Sequence, residues 1–298
     1  MEHPTKQYQH RVPRVYLKHF AFQSGRGLCV SVLDREKNYT EKKNIDRFTA
    51  DVNIFDYDLM EAMEEKRHFE LTCKKVEDEY NKIINTIDNQ RQLLPRHRTI
   101  LCDFITSLMC RSEPNRDFFK GLVEAHDTRE KFLNEITILD DASRNLFDVV
   151  FLNELSKEDQ LKVIIGVAAN HISRVFKSFN FVVLEAPRTD GRAWPTSDNS
   201  VVLDKQNSFG YIIPIESEIY LPLSRKYCLF MFHEASEEKF HPLRRLKENK
   251  VHVIDVVSHA YITMKIANNI HRYLVLPYEL DIRFPMPPIA NRVKSLPL

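Results

Sequence analysis

Six polar positions and one tryptophan could do chemistry together, and the chemistry they suggest is metal-assisted cleavage of a phosphodiester. His10 stands two residues before Val12-Pro13, where the residue ahead of a proline is held extended, and an imidazole at such a strand entry can act as acid, base or metal ligand. Glu70 and Glu77 lie seven residues apart, which on a helix separates their Cα atoms by about 10.5 Å at 1.5 Å per residue. That is far for gripping one ion but suits two ends of one polar cleft. Arg111 ends an apolar helical run, where the helix dipole favours a cation and where a guanidinium could clamp a phosphate with two hydrogen bonds. Asp198 and Asn199 follow Trp194, the single tryptophan of the chain; a carboxylate beside an amide on a stiff turn suits a hard cation or a substrate. In this reading Glu70, Glu77 and Asp198 hold Mg2+ or Mn2+, His10 moves a proton, Arg111 takes the phosphate, and Asn199 and Trp194 contact the substrate.

Each of these residues also has a structural explanation. His10 could hydrogen-bond the helical layer and anchor the N-terminal segment. Glu70 and Glu77 each follow an apolar stripe residue (Phe69, Val76) and could pair with Lys74 or Lys75, or with Arg111. Ser197-Asp198-Asn199 is ordinary turn chemistry. The second functional expectation is therefore a non-catalytic binding or sensor module, in which the same residues form a structural network. His171, His233, His252, His259 and His271 show no pair at metal-ligand spacing and are expected in core or surface roles.

The elements that must position these groups are legible in the periodicity. Residues 1–60 read as short strands and loops, with strands at Leu28–Leu33 and Asn53–Tyr57 and a polar, hairpin-like excursion from Asp34 to Asp46. Residues 61–178 read as a helical layer of about five helices. The first, about 63–92, carries a stripe of Phe69, Cys73, Val76, Tyr80, Ile83 and Ile87 at alternating spacings of four and three. Pro95 ends it. The others cover about 96–111 (broken by Pro114), 115–139, 144–152 and 157–178, the last with Ser156 as its N-cap. From Phe179 to residue 276 the pattern turns β-rich through FNFVVLEA, VVLD, YIIPI, EIYLPL and YCLFMFHE, closed by a helix at about 256–273. Residues 277–298 form an extended, proline-rich tail. The expected architecture is one α+β domain with a central helical layer packed on a small mixed or antiparallel sheet built from both ends of the chain.

Composition narrows the function classes. With 43 basic and 42 acidic side chains the net charge is +1, which argues against a general nucleic-acid coat or a polybasic membrane binder but leaves room for nucleic acid in a local groove. There is no GxGxxG and no GxxxxGK[ST], and only 6 glycines occur in all, so no nucleotide cofactor is expected. HExxH and GxSxG are absent too, which disfavours zincins and α/β-hydrolases. Five widely spaced cysteines without a CxxC pair fit reduced, buried thiols. The first residues lack the apolar core of a signal peptide and no run is long enough to span a bilayer, so a cytoplasmic protein without membrane contact is expected.

Four ordered stretches carry a resemblance. They are His10-Arg11-Val12-Pro13-Arg14-Val15-Tyr16-Leu17-Lys18-His19-Phe20-Ala21, the pair Glu70 and Glu77 in FELTCKKVEDEY, Arg111 in FITSLMCRSEPNRD, and Trp194-Pro195-Thr196-Ser197-Asp198-Asn199 with the later Tyr220–Ser224 and IANNIHRY. From about residue 8 to 275 the chain resembles the family called Domain of Unknown Function 4238, whose members open with an HHxxP-type motif and carry a TSDNP-like turn. Two positions depart from that pattern: the family's first histidine falls on Gln9, and the proline after SDN falls on Ser200. The resemblance supplies positions and implies no reaction.

Overall fold

The structure is a computed structural model that describes residues 6–56, 67–125, 156–189, 191–204, 213, 216–235 and 242–279. Its N-terminal part holds strands β1 (Tyr8–His10), β2 (Phe22–Ser24), β3 (Gly27–Asp34), β4 (Tyr39–Asn44) and β5 (Ala50–Val52), with the single helical turn α1 at Arg14–Leu17. Four longer helices follow: α2 (His68–Gln90), α3 (Pro95–Arg111), α4 (Glu113–Glu124) and α5 (Lys157–Phe176). Then come β6 (Asn180–Glu185), β7 (Thr196–Ser197), β8 (Val202–Leu203), β9 (Ile219–Pro222), β10 (Tyr227–Phe232) and β11 (Val251–Val253), the helix α6 (Val256–Asn268) and β12 (Tyr273–Leu276). The protein is α+β, as its sequence leads one to expect.

The strands divide among three sheets rather than forming one. β1 and β5 make a two-stranded antiparallel ladder with Gln9 opposite Asp51 and His10 opposite Ala50. A mixed sheet runs β11-β6-β10-β9-β8, with β11 parallel to β6 and the other pairs antiparallel. The third sheet, antiparallel throughout, runs β2-β3-β12-β7, with β4 on β3; through β12 it ties the N-terminal hairpin to the end of the described chain. β7 and β8 belong to different sheets, so Asp198-Asn199-Ser200-Val201 between them is the corner joining the two larger ones.

The helices expected at about 63–92, 96–111 and 157–178 hold with shifted ends, and the one expected from 115 begins at Glu113 and is capped after Glu124. The stripe of α2 is buried at Phe69, Cys73, Tyr80, Ile83 and Ile87, and Tyr80 stacks on Phe104 of α3 with ring centroids 4.4 Å apart. Ser156 caps α5 by accepting the Asp159 N–H at 3.1 Å. Pro114 opens α4, where its missing N–H costs nothing, as well as closing α3. What the sequence suggests for 126–139, for 144–152, for most of YIIPI and for the tail beyond 279 lies outside the described residues.

Two expectations are corrected. The strand expected at Asn53–Tyr57 is instead Ala50–Val52; Asn53 turns left-handed (φ 53°) and ends it, because its side chain and backbone both bond Gln7 across the ladder. That turn drops Phe55 and Asp56 into the interior. The closing helix stops at Asn268 rather than near residue 273, because the Asn269 side chain is drawn to the backbone oxygens of Asn199 and Val201, at 2.8 and 2.9 Å, and frees Tyr273–Leu276 to pair with β3.

Two apolar clusters result. The larger lies between the helices and the sheets around Tyr16, Tyr80, Phe104 and Leu229; the smaller lies under α6 and holds Trp194, Phe230, Ile262 and Ile266. Tyr16 stitches the first to the sheets, its hydroxyl donating to the Pro222 oxygen at 2.7 Å and lying 2.5 Å from Thr196 Oγ1.

Candidate functional site

α3 is buried over its whole last turn, so its terminal Arg111 is carried into the interior beside the neighbouring face of α2. The spacing of Glu70 and Glu77 is what makes them a pair: two helical turns apart, they reach opposite ends of one guanidinium. Arg111 Nη2 donates to Glu70 Oε2 at 2.8 Å and Nη1 to Glu77 Oε1 at 2.9 Å, while Nη1 also reaches the His10 carbonyl at 3.1 Å. Arg111 is 1% exposed, against 16% and 20% for the two glutamate side chains. Burial works against its charge, but the carboxylates of Glu70 and Glu77 offset this and hold the guanidinium protonated. The rings of Phe55 and Phe69 cover it at 5.3 and 5.8 Å. Burial outweighs the attraction of Arg111 at Glu77 and raises that carboxyl above its ordinary value.

A second network, which the sequence reading missed, lies on the same strand. Gln9 is fully buried; its Nε2 donates to Asp56 Oδ1 and its Oε1 accepts the Phe55 N–H at 2.7 Å. Arg67 lies 3.5 Å from the other Asp56 oxygen, with both side chains almost wholly buried. Gln9 is the position where the resemblance places a histidine, and that was the one available signal: an amide there supplies both the donor for Asp56 and an acceptor for the backbone. Asp56 and Arg67 left no spacing that could have been read.

His10 itself contributes its carbonyl to Arg111, whereas its ring is half-buried and Nε2 has no hydrogen-bond partner among the described residues. Burial lowers the pKa of His10, and likewise of His19, His97 and His259. A ring that binds its proton less readily folded than unfolded stabilises the fold above its unfolded value of 6.5, and that contribution is lost as pH falls below 6.5 through the folded values. Glu77 and Asp198, raised above 4.5 and 3.8, act with the opposite sign in a window that starts lower. The urea midpoint is therefore expected to be lower at about pH 5.5 than at about pH 7.5. Equal midpoints would mean that the rings charge freely in the folded state.

Asp198 and Asn199 lie at the sheet corner, apart from the Arg111 network. Asp198 accepts three backbone N–H groups, from His271 at 3.1 Å, Arg272 at 2.8 Å and Tyr273 at 3.0 Å. Burial raises its pKa, and the three amides pull it back. Asn199 and Asn269 exchange amide bonds with each other's carbonyls at 3.0 and 2.8 Å. Trp194 is buried in the smaller core, its ring 4.3 Å from that of His259.

A groove of about 360 Å³ opens beside the corner, lined among others by Arg11, Asp51, Glu113, Asp198, His271 and Arg272. Arg11 spans it, with Nη1 2.7 Å from Asp51 and Nε 2.8 Å from Glu113. The structure thus brings His10, Glu70, Glu77 and Arg111 together and leaves Asp198, Asn199 and Trp194 elsewhere. Among the described residues no three His, Cys, Asp or Glu side chains converge as a metal site would need, and no helix is long and apolar enough to cross a membrane.

Comparison with known proteins gives one match. The family model described as "Protein of unknown function (DUF4238)" matches residues 8–274. No curated protein and no solved structure matches the chain.

Proposed function

The chain belongs to the family described as Protein of unknown function (DUF4238), and we propose that it works as a binding or sensor module in which the polar residues read from the sequence form a structural network. The observation that carries this reading is the occupancy of Arg111. Its terminal nitrogens point at two carboxylates and a carbonyl, at 2.8–3.1 Å, in a pocket roofed by two phenylalanine rings. A substrate phosphate would have to displace those partners inside the protein. The network instead fastens strand β1 to helices α2 and α3, which is what a buried, largely satisfied polar cluster does well.

The test is the melting temperature of Glu77→Ala against Glu77→Gln. Alanine removes a charge-assisted hydrogen bond worth about 1.5–3 kcal/mol and should lower the melting temperature by several degrees. Glutamine keeps an acceptor for Arg111 and removes only the charge that burial disfavours, so it should cost about 1 kcal/mol or less. An alanine variant as stable as the wild type would sink the reading.

Metal-assisted phosphodiester hydrolysis with Mg2+ or Mn2+ is the alternative, and one feature favours it: the second oxygens of Glu70 and Glu77 are not taken by Arg111, and both side chains keep some exposure. The full ligand set fits it poorly, because both Asp198 oxygens already accept backbone N–H groups and Asp198 lies outside the Arg111 network. Cleavage of an oligonucleotide with either metal, lost in Glu77→Gln while folding is kept, would decide for this alternative.

A further inference from the structure

Ahead of β11 the chain makes a 3-10 turn, Pro242–Arg245, that is anchored by two leucines. Three residues per turn set Leu243 and Leu246 on one side, against the smaller core, and the Leu246 N–H returns to the Leu243 oxygen at 3.2 Å. Arg244 and Arg245 lie between them. The Arg244 side chain is 6% exposed and is fixed from two directions: its Nε donates to Glu218 Oε1 at 2.9 Å, and its guanidinium lies 5.7 Å from the Phe232 ring. The second Glu218 oxygen is taken by the Tyr220 hydroxyl at 2.6 Å. Nη2 of Arg244 meets no acceptor among the described residues.

A second groove, of about 390 Å³, opens over this turn, and both arginines line it. Its acidic and basic groups differ in how far they are engaged. Of its two carboxylates, Glu234 accepts from Asn180 Nδ2 at 3.2 Å and Glu248 accepts from Arg98 Nη1 at 2.9 Å. Arg245 is exposed and has no ion-pair partner among the described residues. His233, also in the lining, accepts the Ala235 N–H on Nδ1 at 3.1 Å, so its neutral ring carries the proton on Nε2 and is a donor there. The groove thus offers donors on Arg244, Arg245 and His233, with Phe232 and Leu246 as its apolar lining.

We propose that this groove binds a small organic carboxylate, whose oxygens are received by Arg244 and Arg245 and whose apolar body packs on Phe232 and Leu246. A guanidinium held still by Glu218 loses little freedom when a ligand arrives, and its planar fork matches a carboxylate. The volume is that of a small-molecule site, and the apolar lining rewards a ligand that is more than a bare ion. Glu234 and Glu248 stand in the same walls, so a singly charged anion is favoured over a doubly charged phosphate, which they would repel more strongly. The proposal rests on the binding reading above and names its ligand class. No residue of the Arg111 network lines this groove, so the melting-temperature test of Glu77 and the test below can fail separately.

The experiment is saturation-transfer NMR of the whole chain titrated with benzoate, phenylacetate and benzyl alcohol at fixed ionic strength, for the wild type, Arg245→Gln and Arg244→Met. The two carboxylates should bind the wild type saturably, and benzyl alcohol, which keeps the ring without the charge, should bind at least about tenfold more weakly. Arg245→Gln should weaken the carboxylates by at least about fivefold, because one charge-assisted contact is lost. Arg244→Met should abolish their binding. That variant also strands Glu218 in the interior, so Arg245→Gln, at an exposed position, keeps the test independent of folding. Inorganic phosphate added to the benzoate complex should displace little of it. A wild type that binds neither carboxylate, an affinity unchanged in Arg245→Gln, or benzyl alcohol bound as tightly as benzoate overturns the proposal. Phosphate that displaces benzoate at equal concentration overturns the ligand class.

Discussion

Arg111→Met is expected to destabilise the protein by about 3–5 kcal/mol, the usual cost of removing one partner from a buried ionic group. The methionine fills much of the volume and lies against the same rings of Phe55 and Phe69, so little of the loss is a cavity. What is lost is compensation. Glu70 and Glu77 would face each other across an apolar side chain, each only partly exposed, and the His10 carbonyl would lose its donor. Burial already raises the pKa of Glu77, so without the arginine that carboxyl should take up a proton at higher pH still. This gives a signature that a packing defect lacks. Adding Glu70→Gln and Glu77→Gln to Arg111→Met should recover part of the loss, because the triple variant buries no unpaired charge. Urea unfolding of the wild type, Arg111→Met and the triple variant measures it, and a loss under about 1 kcal/mol in Arg111→Met would show that the network does not hold β1 to the helices.

The sequence made the helical layer and the Arg111 cluster legible for one reason: both rest on spacing within single helices. The apolar stripe of α2 fixes which face is buried, and Glu70 and Glu77 follow stripe residues two turns apart, so their nearness to a cation at the end of an apolar helix could be read. That this cation would be consumed by the pair, rather than offered to a ligand, depends on how deeply α3 carries its last turn inward, which no local pattern records. The division into three sheets was hidden for a related reason. β7 and β8 are two residues each, and what separates their sheets is a side-chain clamp between Asn199 and Asn269, residues 70 positions apart. The same clamp ended the last helix early. Asn53 misled because Asn-Ile-Phe-Asp-Tyr has strand-like composition, while the backbone at Asn53 is left-handed. Gln9, Asp56 and Arg67 were missed because a buried triad drawn from a strand, a turn and the residue before a helix has no period.

Asp198→Ala is expected to cost about 3–5 kcal/mol, although its neighbours are turn residues and the groove lies beside it. The carboxylate is the acceptor for three consecutive N–H groups, His271, Arg272 and Tyr273, just where the chain leaves α6 and enters β12. Each buried N–H left without an acceptor costs about 1–3 kcal/mol. Water entering from the groove can serve the one at exposed His271, which keeps the total below the sum. Asp198→Asn separates charge from geometry. Its remaining oxygen can still accept from Arg272 and Tyr273, while its NH2 faces the His271 N–H, so one bond of three is lost; removing the charge that burial disfavours offsets part of that. A loss of about 1–2 kcal/mol is expected there. The damage should also be local. Amide exchange should quicken in β7, in β12 and at Asn269, whose side chain clamps the same corner, and remain slow in β6 and β10. An alanine variant that unfolds like the wild type would mean that the Asn199–Asn269 clamp alone holds the two sheets together, and Asp198 would then be free to serve a ligand in the groove.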